Sequence, residues 1–259
     1  MLKSNRNMKP DEKNSDELKA IRFAKSVSLA TALLALVTFA IAILTPPLSG
    51  PFCEGNCFVY PYHDILSRFP RDYLWMFAAL PLTVSYLVMV ISVYVVYSTR
   101  RRILGLTGVA FALMSTLLLF TDYFVQVSVV QPNLLAREYD GIALLSQFNP
   151  HGLFIALEEV GFLFSIVALA CIASLFGGPA RLEKAIRRIA LLFVILAIVA
   201  FIWLSFQYGL KREYRFEVVI ISLAWFEIIV LGVLIFLYFH LSRDRAQLSL
   251  SHAQRDNSL

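Results

Sequence analysis

Six stretches of nearly unbroken apolar residues alternate with short polar segments along the chain. Each stretch reaches or approaches the roughly 20 residues that an α-helix needs to cross a bilayer. The apolar residues are continuous, whereas the strands of a membrane barrel alternate apolar and polar positions. The sequence therefore predicts an all-α, polytopic integral membrane protein, a bundle of six transmembrane helices. The predicted spans are residues 26–44, 73–97, 103–130, 153–175, 189–208 and 218–240.

Polar residues divide the chain into three parts. Residues 1–25 are a charged segment, residues 26–240 contain all six spans, and residues 241–259 are a polar tail. Hydrophobic residues make up 59% of the chain and charged residues 16%, whereas a soluble domain is about 45–50% apolar and about 25% charged. The sequence therefore predicts one transmembrane domain with two short flanks and no separate soluble domain.

Basic residues are concentrated beside the ends of the predicted spans. If the spans alternate in direction, most of the 23 lysines and arginines fall on the side of the N-terminus. Because basic loops are retained inside the cell, both termini are predicted to be cytoplasmic, in a multi-pass protein of the cell (plasma) membrane. No basic patch is interleaved with aromatic residues, so the expected partner is the lipid bilayer and not nucleic acid.

Two of the three cysteines stand close together in the stretch CEGNC. Cys53 and Cys57 fall on the predicted outer side, where a disulfide can persist. Gly55 and Asn56 can supply the turn that a short ring requires. The pair is therefore a disulfide candidate. The alternatives are free thiols or half of a metal site whose other ligands the sequence does not provide.

Acidic side chains occur inside the predicted spans, as in the stretch FNPHGLFIALEEVGF at residues 148–162. An aspartate at the centre of a span costs about 2.5–3.5 kcal/mol on insertion scales, so most such groups should face protein or water. At a rise of about 1.5 Å per residue, Asp122, Glu158 and Glu227 lie roughly 12–15 Å from the same membrane boundary. The sequence therefore predicts a common acidic layer in the outer half of the bilayer.

Helical spacing predicts which of these acids face inwards. Asp122 and Gln126 are four residues apart on one face, so Gln126 is expected to orient Asp122. Glu158 lies in a row of small residues, as packed membrane helices require, whereas Glu159 points about 100° away. The predicted site for a proton, cation or ligand is Asp122, Gln126, Glu158 and Glu227. Less central candidates are Glu159, Gln207, His151 and Arg137.

The predicted spans contain no lysine or arginine that could neutralise the acids. The acids must therefore hold protons, bind a cation or attract a base from an outer loop, such as Arg137. Burial and mutual repulsion favour their protonated forms. In the alternative interpretation the acids only hold helices together: a protonated Asp122 bonds to Gln126, and Glu158 bonds to a backbone carbonyl.

Metal and nucleophile chemistry have little support in the sequence. His151 and Glu158 are separated by about 10.5 Å along a helix, which is too far for two ligands of one metal. The motifs GxSxG and HExxH and a phosphate-binding glycine loop do not occur. No metal or cofactor is therefore predicted, and an enzyme is the less favoured class.

Coupled transport is the function that these features favour, because buried carboxyls that exchange protons are typical of transporters. The leading hypothesis is a permease-like protein that moves a small molecule or ion, coupled to a proton or cation. One alternative is a membrane-embedded enzyme that uses the same acids on a lipid or another apolar substrate. Another is a non-catalytic assembly or sensory subunit. The apolar loop of residues 131–150 is expected to lie at the interface or to fold over the mouth of the bundle.

Overall fold

The structure is a computed structural model that describes residues 10–97 and 101–256, with only the backbone at residues 10–14, 213 and 242–256. All regular secondary structure in these ranges is helical, which confirms the all-α class. The α-helices are α1 (Pro10–Leu44), α2 (Leu74–Tyr97), α3 (Arg102–Val125), α4 (Gln131–Ala136), α5 (Ile142–Leu145), α6 (Leu153–Ala173), α7 (Arg181–Tyr208) and α8 (Glu213–Asp256).

Six helices in the described part of the chain are long and apolar enough to cross a membrane, which confirms the predicted number. Five of them are α1, α2, α6, α7 and α8. The sixth is a rod in which α3 continues through a π-helical segment, Gln126–Val130, into α4. These wide turns precede Pro132, which has no N–H to bond to the carbonyl of Ser128. The rod ends at Arg137, whose φ of 62° is left-handed.

Five of the helices close a ring, and α7 packs on the outside of it. Around the ring α1 contacts α2, α2 contacts α3, α3 contacts α6, α6 contacts α8, and α8 returns to α1. α7 lies against α8 and α6. The outward side of α7 is apolar and exposed, for example at Leu191, Ile198 and Phe206. A wide exposed apolar face of this kind is what a helix in contact with lipid presents.

Small residues allow the helices of the ring to approach closely. A Cβ atom added at Gly108 of α3 would lie 3.0 Å from the Cβ of Cys171 and 3.1 Å from the carbonyl oxygen of Ala168, both on α6. A Cβ added at Gly232 of α8 would lie 3.0 Å from the Cβ of Ala32 on α1. Such backbone approach is typical of membrane helices, which associate through dispersion and hydrogen bonds rather than by excluding water.

Two long loops pack together at one end of the bundle, which we call the loop end. The first loop, residues 45–73, contains three short 3-10 turns and a disulfide between Cys53 and Cys57, with an S–S distance of 2.03 Å. The predicted disulfide pair is thus bonded in the structure. The opposite end, where α2 ends and α3 begins, is called the basic end.

The second loop, residues 137–152, folds over the loop end of the ring. Its Ile142 and Phe148 are buried. The ring of Phe148 lies 5.1 Å from that of Phe58 in the first loop, measured between centroids. The apolar segment therefore packs over the mouth of the bundle, which is one of the two placements that the sequence allows.

Arginine side chains tie the helix ends together at the basic end. Arg101 donates to the carbonyl oxygen of Ser174 at 3.1 Å, and Arg187 donates to that of Phe176 at 2.8 Å. Both acceptors lie just after α6, where the last helical carbonyls have no partner within the helix. The guanidinium groups thereby satisfy part of the end of α6 and fix it to α3 and α7.

The close approach of α3 and α6 predicts that Gly108→Val destabilises the protein. The valine side chain would press on the backbone of α6, and overpacking of this kind costs about 1–3 kcal/mol. The measurement is the midpoint of thermal unfolding in detergent micelles. Gly177→Val is the matched control, because a Cβ there would approach only the carbonyl oxygen of Leu175, at 3.9 Å. Equal midpoints for the two variants would contradict the packing.

Candidate functional site

Glu158 of α6 is buried in the ring, with 0% of its surface exposed. Its Oε1 atom accepts a hydrogen bond of 2.8 Å from the hydroxyl of Tyr123 on α3. Gly161, one turn further along α6, packs against Leu119 of α3. The close α3–α6 contact therefore places the phenol hydroxyl of Tyr123 within hydrogen-bonding distance of the buried Glu158 carboxyl group.

The carboxyl group of Glu158 also meets that of Glu217 on α8. The two side chains are hydrogen-bond partners, yet the Oε2 atom of each has no donor among the described residues. The two observations agree if the pair carries a proton, because a bond between two carboxyl oxygens needs a hydrogen that neither carboxylate supplies. We call Glu158 and Glu217 the acid pair. No lysine or arginine in the described part of the chain bonds to either.

Asp122 adds a third acidic group beside the acid pair. It is 3% exposed and lies within electrostatic range of Glu158. Its Oδ2 atom has no hydrogen-bond partner among the residues that the structure describes. The structure therefore brings together two of the acids that the sequence predicts for the site, Asp122 and Glu158.

Glu159 has a different environment from its neighbour Glu158. Its Oε2 atom lies 3.3 Å from a guanidinium nitrogen of Arg212, in the turn between α7 and α8. The same guanidinium lies over the ring of Phe201, 4.6 Å from its centroid. The base that contacts one of the predicted site acids is thus Arg212, and that acid is Glu159. Arg137, the base expected from the sequence, is exposed at the end of α4.

Gln126 does not orient Asp122 as expected, because both ends of its amide bind the second loop. Its Nε2 donates to the carbonyl oxygen of Leu145 at 2.5 Å, and its Oε1 accepts from the backbone N–H of Gln147 at 3.1 Å. Gln126 stands where the rod changes from α-helical to π-helical turns. Its role in the structure is to hold the loop over the ring.

Glu227 is separated from the acid pair along α8. Ten residues separate it from Glu217, or roughly 15 Å of helix. It is 0% exposed, and neither of its carboxyl oxygens has a hydrogen-bond partner among the described residues. Tyr86, which lies within its electrostatic range, donates to the carbonyl oxygen of Ser165 at 3.0 Å. The expected layer shared by Glu158 and Glu227 is therefore not found, and Glu227 lies deeper in the ring.

The remaining candidates lie at the surface. Gln207 is exposed on α7, outside the ring, and His151 is exposed just before α6. Among the described residues, no group of three or more histidine, cysteine, aspartate or glutamate side chains is arranged to hold a metal ion.

A cavity of about 300 Å³ lies beneath the two loops, and we call it the loop-end cavity. Glu217 forms part of its wall and is 7% exposed. Aromatic side chains from four helices and both loops supply much of the remaining wall, among them Phe39, Trp75, Phe148, Tyr214 and Trp225. Glu217 thus connects the buried Glu158 with a space at the loop end.

The sequence analysis does not include Glu217, because it lies one residue before the predicted last span, residues 218–240. The signal that identifies it is the inward row of α8. Ile220, Ala224, Ile228 and Leu231 are all buried and follow one another at intervals of three or four residues. Extending this row by one step towards the N-terminus reaches Glu217.

These features define a class of protein: an all-helical bundle with six helices able to span a membrane and a cluster of buried carboxyl groups under a cavity at one end. Comparison of the chain with protein-family models, with curated proteins and with solved structures finds no match.

Removal of the Gln126 amide is expected to release the second loop. In Gln126→Ala the N–H of Gln147 and the carbonyl of Leu145 lose their partners, so the loop should open more often. Hydrogen–deuterium exchange followed by mass spectrometry should then show faster exchange in the peptide covering residues 141–148. Gln207→Ala removes an exposed glutamine amide and should leave this exchange unchanged. Unaltered exchange in Gln126→Ala would show that the amide does not hold the loop.

Proposed function

We propose that this chain is a multi-pass protein of the cytoplasmic membrane that moves a proton or small cation, in a permease-like manner, through the acid pair. The observation that carries the proposal is the contact between Glu158 and Glu217, two buried carboxyls with no basic partner among the described residues. Of the two, Glu217 lines the loop-end cavity. Ionisable groups placed in this way inside membrane proteins mark ion pathways and proton relays.

The incomplete hydrogen bonding of the acids favours a proton- or cation-binding site over a purely structural role in helix packing. Carboxyls kept only to hold helices together should have their oxygens satisfied, because an unsatisfied buried polar group costs about 1–3 kcal/mol. Asp122, Glu158 and Glu217 instead each retain one buried oxygen without a donor among the described residues. A proton, a cation or water that enters from the loop-end cavity would supply what Glu158 and Glu217 lack.

Within this proposal the loop end faces the exterior and the basic end faces the cytoplasm. An even number of spans places both termini on one side, and most of the 23 basic residues lie there. The disulfide between Cys53 and Cys57 lies at the opposite, loop end, and disulfides persist in oxidising surroundings outside the cytoplasm. Asp122, Glu158 and Glu217 then accept protons or cations from the external solution.

This orientation can be tested with single cysteines and a membrane-impermeant maleimide. In a Cys171→Ser background, Asp140→Cys places a thiol in the exposed second loop, and Lys184→Cys places one at the exposed start of α7. We expect labelling of position 140 in intact cells, and labelling of position 184 only after the membrane is permeabilised. The reverse pattern would show that the loop end is cytoplasmic.

Transport through the acid pair can be tested in vesicles that contain the purified protein and a pH indicator. A pH gradient is imposed at zero membrane potential, without or with a gradient of Na⁺ or K⁺. We expect the protein to accelerate decay of the pH gradient in at least one of these conditions. The double variants Glu158→Gln/Glu217→Gln and Asp122→Asn/Glu158→Gln should return the decay to the rate of empty vesicles, because neither amide can exchange the proton.

Glu183→Gln is the matched control for the vesicle experiment. Glu183 is also buried, at 7% exposure, but lies at the basic end, where its Oε1 accepts a hydrogen bond from Tyr238 at 3.0 Å. A glutamine oxygen can accept the same bond, so this variant should keep the wild-type rate. Wild-type decay that equals the empty-vesicle rate in every condition, or that survives in both double variants, would refute the proposal.

A further inference from the structure

The loop-end cavity combines aromatic walls with the carboxyl group of Glu217, which no base in the described part of the chain contacts. We propose that it binds an amphiphilic monovalent organic cation, a small aromatic or alkyl body with one ammonium group, and that Glu217 is the counter-charge. The inference rests on the proposed function, because it names the substrate class that the acid pair serves. It also predicts that this cation competes with protons for the pair.

The charge balance of the cavity selects a cation. Two acidic residues line it, Asp72 and Glu217. Asp72 is balanced, because its oxygens lie 3.3 Å from Nε of Arg71 and 3.8 Å from Nε of Arg68. The polar neighbour of Glu217 is Glu158, another acid. Negative charge therefore remains at Glu217, which attracts a cation and repels an anion across a medium of low dielectric constant.

Among the described residues, the charged neighbours of Glu217 are acids and supply no compensating positive charge. Arg212, which the structure places beside Glu159, is bound to that acid at 3.3 Å. α1 contributes no charged residue to the cavity wall. In the described part of the chain, the other titratable groups that interact with the acid pair are acids or phenols, namely Asp122, Glu159, Tyr123 and Tyr214.

Aromatic rings make the cavity suitable for an organic cation rather than a hydrated metal ion. The ring of Trp225 lies 5.8 Å from that of Phe39 and 6.0 Å from that of Trp75, measured between centroids. On the side of the first loop, Phe52 and Tyr214 have centroids 6.1 Å apart. Aromatic faces attract quaternary and protonated ammonium groups, and they solvate an apolar body at the same time.

The size and position of the cavity indicate a small amphiphile. A volume of about 300 Å³ is at the lower end of the range of about 300–1,000 Å³ for small-molecule sites. Ile43 of α1 and Val218 of α8 line the cavity, and both are also on the surface of the bundle, with 67% and 39% exposure. The cavity therefore reaches the apolar side of the bundle between α1 and α8. A ligand with an apolar body can enter along this side.

Competition with protons follows from the charge of the acid pair. With one proton, Glu158 and Glu217 together carry one negative charge, which a bound cation neutralises. A second proton removes that charge, so proton and cation oppose each other's binding. The affinity for the cation should therefore fall as the solution becomes more acidic. The same opposition gives a reason for exchange of the two across a membrane.

Tryptophan fluorescence offers a direct binding measurement. The chain has three tryptophans; Trp75 and Trp225 line the cavity, and Trp203 is 64% exposed on α7. In a Trp203→Phe background the signal comes from the cavity alone. We expect benzyltrimethylammonium to change the fluorescence of the micellar protein saturably. Neopentylbenzene, its uncharged isostere, should not produce a saturable change.

Glu217→Gln should weaken binding of benzyltrimethylammonium by about tenfold or more, because the charge-assisted contact is lost. Glu183→Gln, at the basic end, should bind as the parent does. Independently of any variant at the site, the parent protein should bind less tightly in acidic than in neutral buffer. The inference would be overturned if the cation produced no saturable change, or if the neutral isostere bound equally well. It would also be overturned if the affinity for the cation changed neither in Glu217→Gln nor on acidification.

The vesicle experiment distinguishes this failure from failure of the proposed function. If protein-dependent decay of the pH gradient requires Glu158 and Glu217 but benzyltrimethylammonium does not bind, the acid pair carries protons or small cations and the substrate class is wrong. If the cation binds through Glu217 but no flux occurs, the cavity is a binding site in a protein that does not transport.

Discussion

The burial of two carboxyl groups against each other, Glu158 on α6 and Glu217 on α8, is the constraint on which this bundle depends. Two negative charges in apolar surroundings would repel strongly, whereas one shared proton turns the contact into a hydrogen bond. Tyr123 supplies a further donor from α3 at 2.8 Å. Three helices of the ring, α3, α6 and α8, thus contact one another at this group of side chains. The stability of the contact depends on the proton that Glu158 and Glu217 share.

Close helix packing surrounds this contact. Gly108 and Gly161 let α3 and α6 approach, and Gly232 does the same for α1 and α8. α7 lies outside the ring, and the turn that follows it brings Arg212 to Glu159. Of two neighbouring glutamates, one is therefore neutralised by a base and the other is left to pair with an acid.

The loops determine how the site communicates with solvent. Gln126 fixes the second loop through Leu145 and Gln147, and Phe148 of that loop forms part of the cavity wall. The wall of the cavity is largely apolar and aromatic, and charge interactions are stronger in such surroundings than in bulk water. The same cover leaves an apolar route between α1 and α8, where an amphiphilic molecule can approach Glu217 without crossing the loops.

The sequence by itself determined the six apolar helices and the burial of Asp122, Glu158 and Glu227, and it made Cys53 and Cys57 a candidate pair, because hydropathy, run length and chain proximity are local properties. Only the tertiary structure decided which groups meet. Glu158 contacts Glu217 and does not share a layer with Glu227. Which of the two acids it meets depends on the axial position and rotation of α8. These are set by packing contacts, such as that of Gly232 with α1. Gln126 binds a loop, and Arg212 rather than Arg137 reaches an acid, because loop paths follow from packing and leave no periodic signal in the chain.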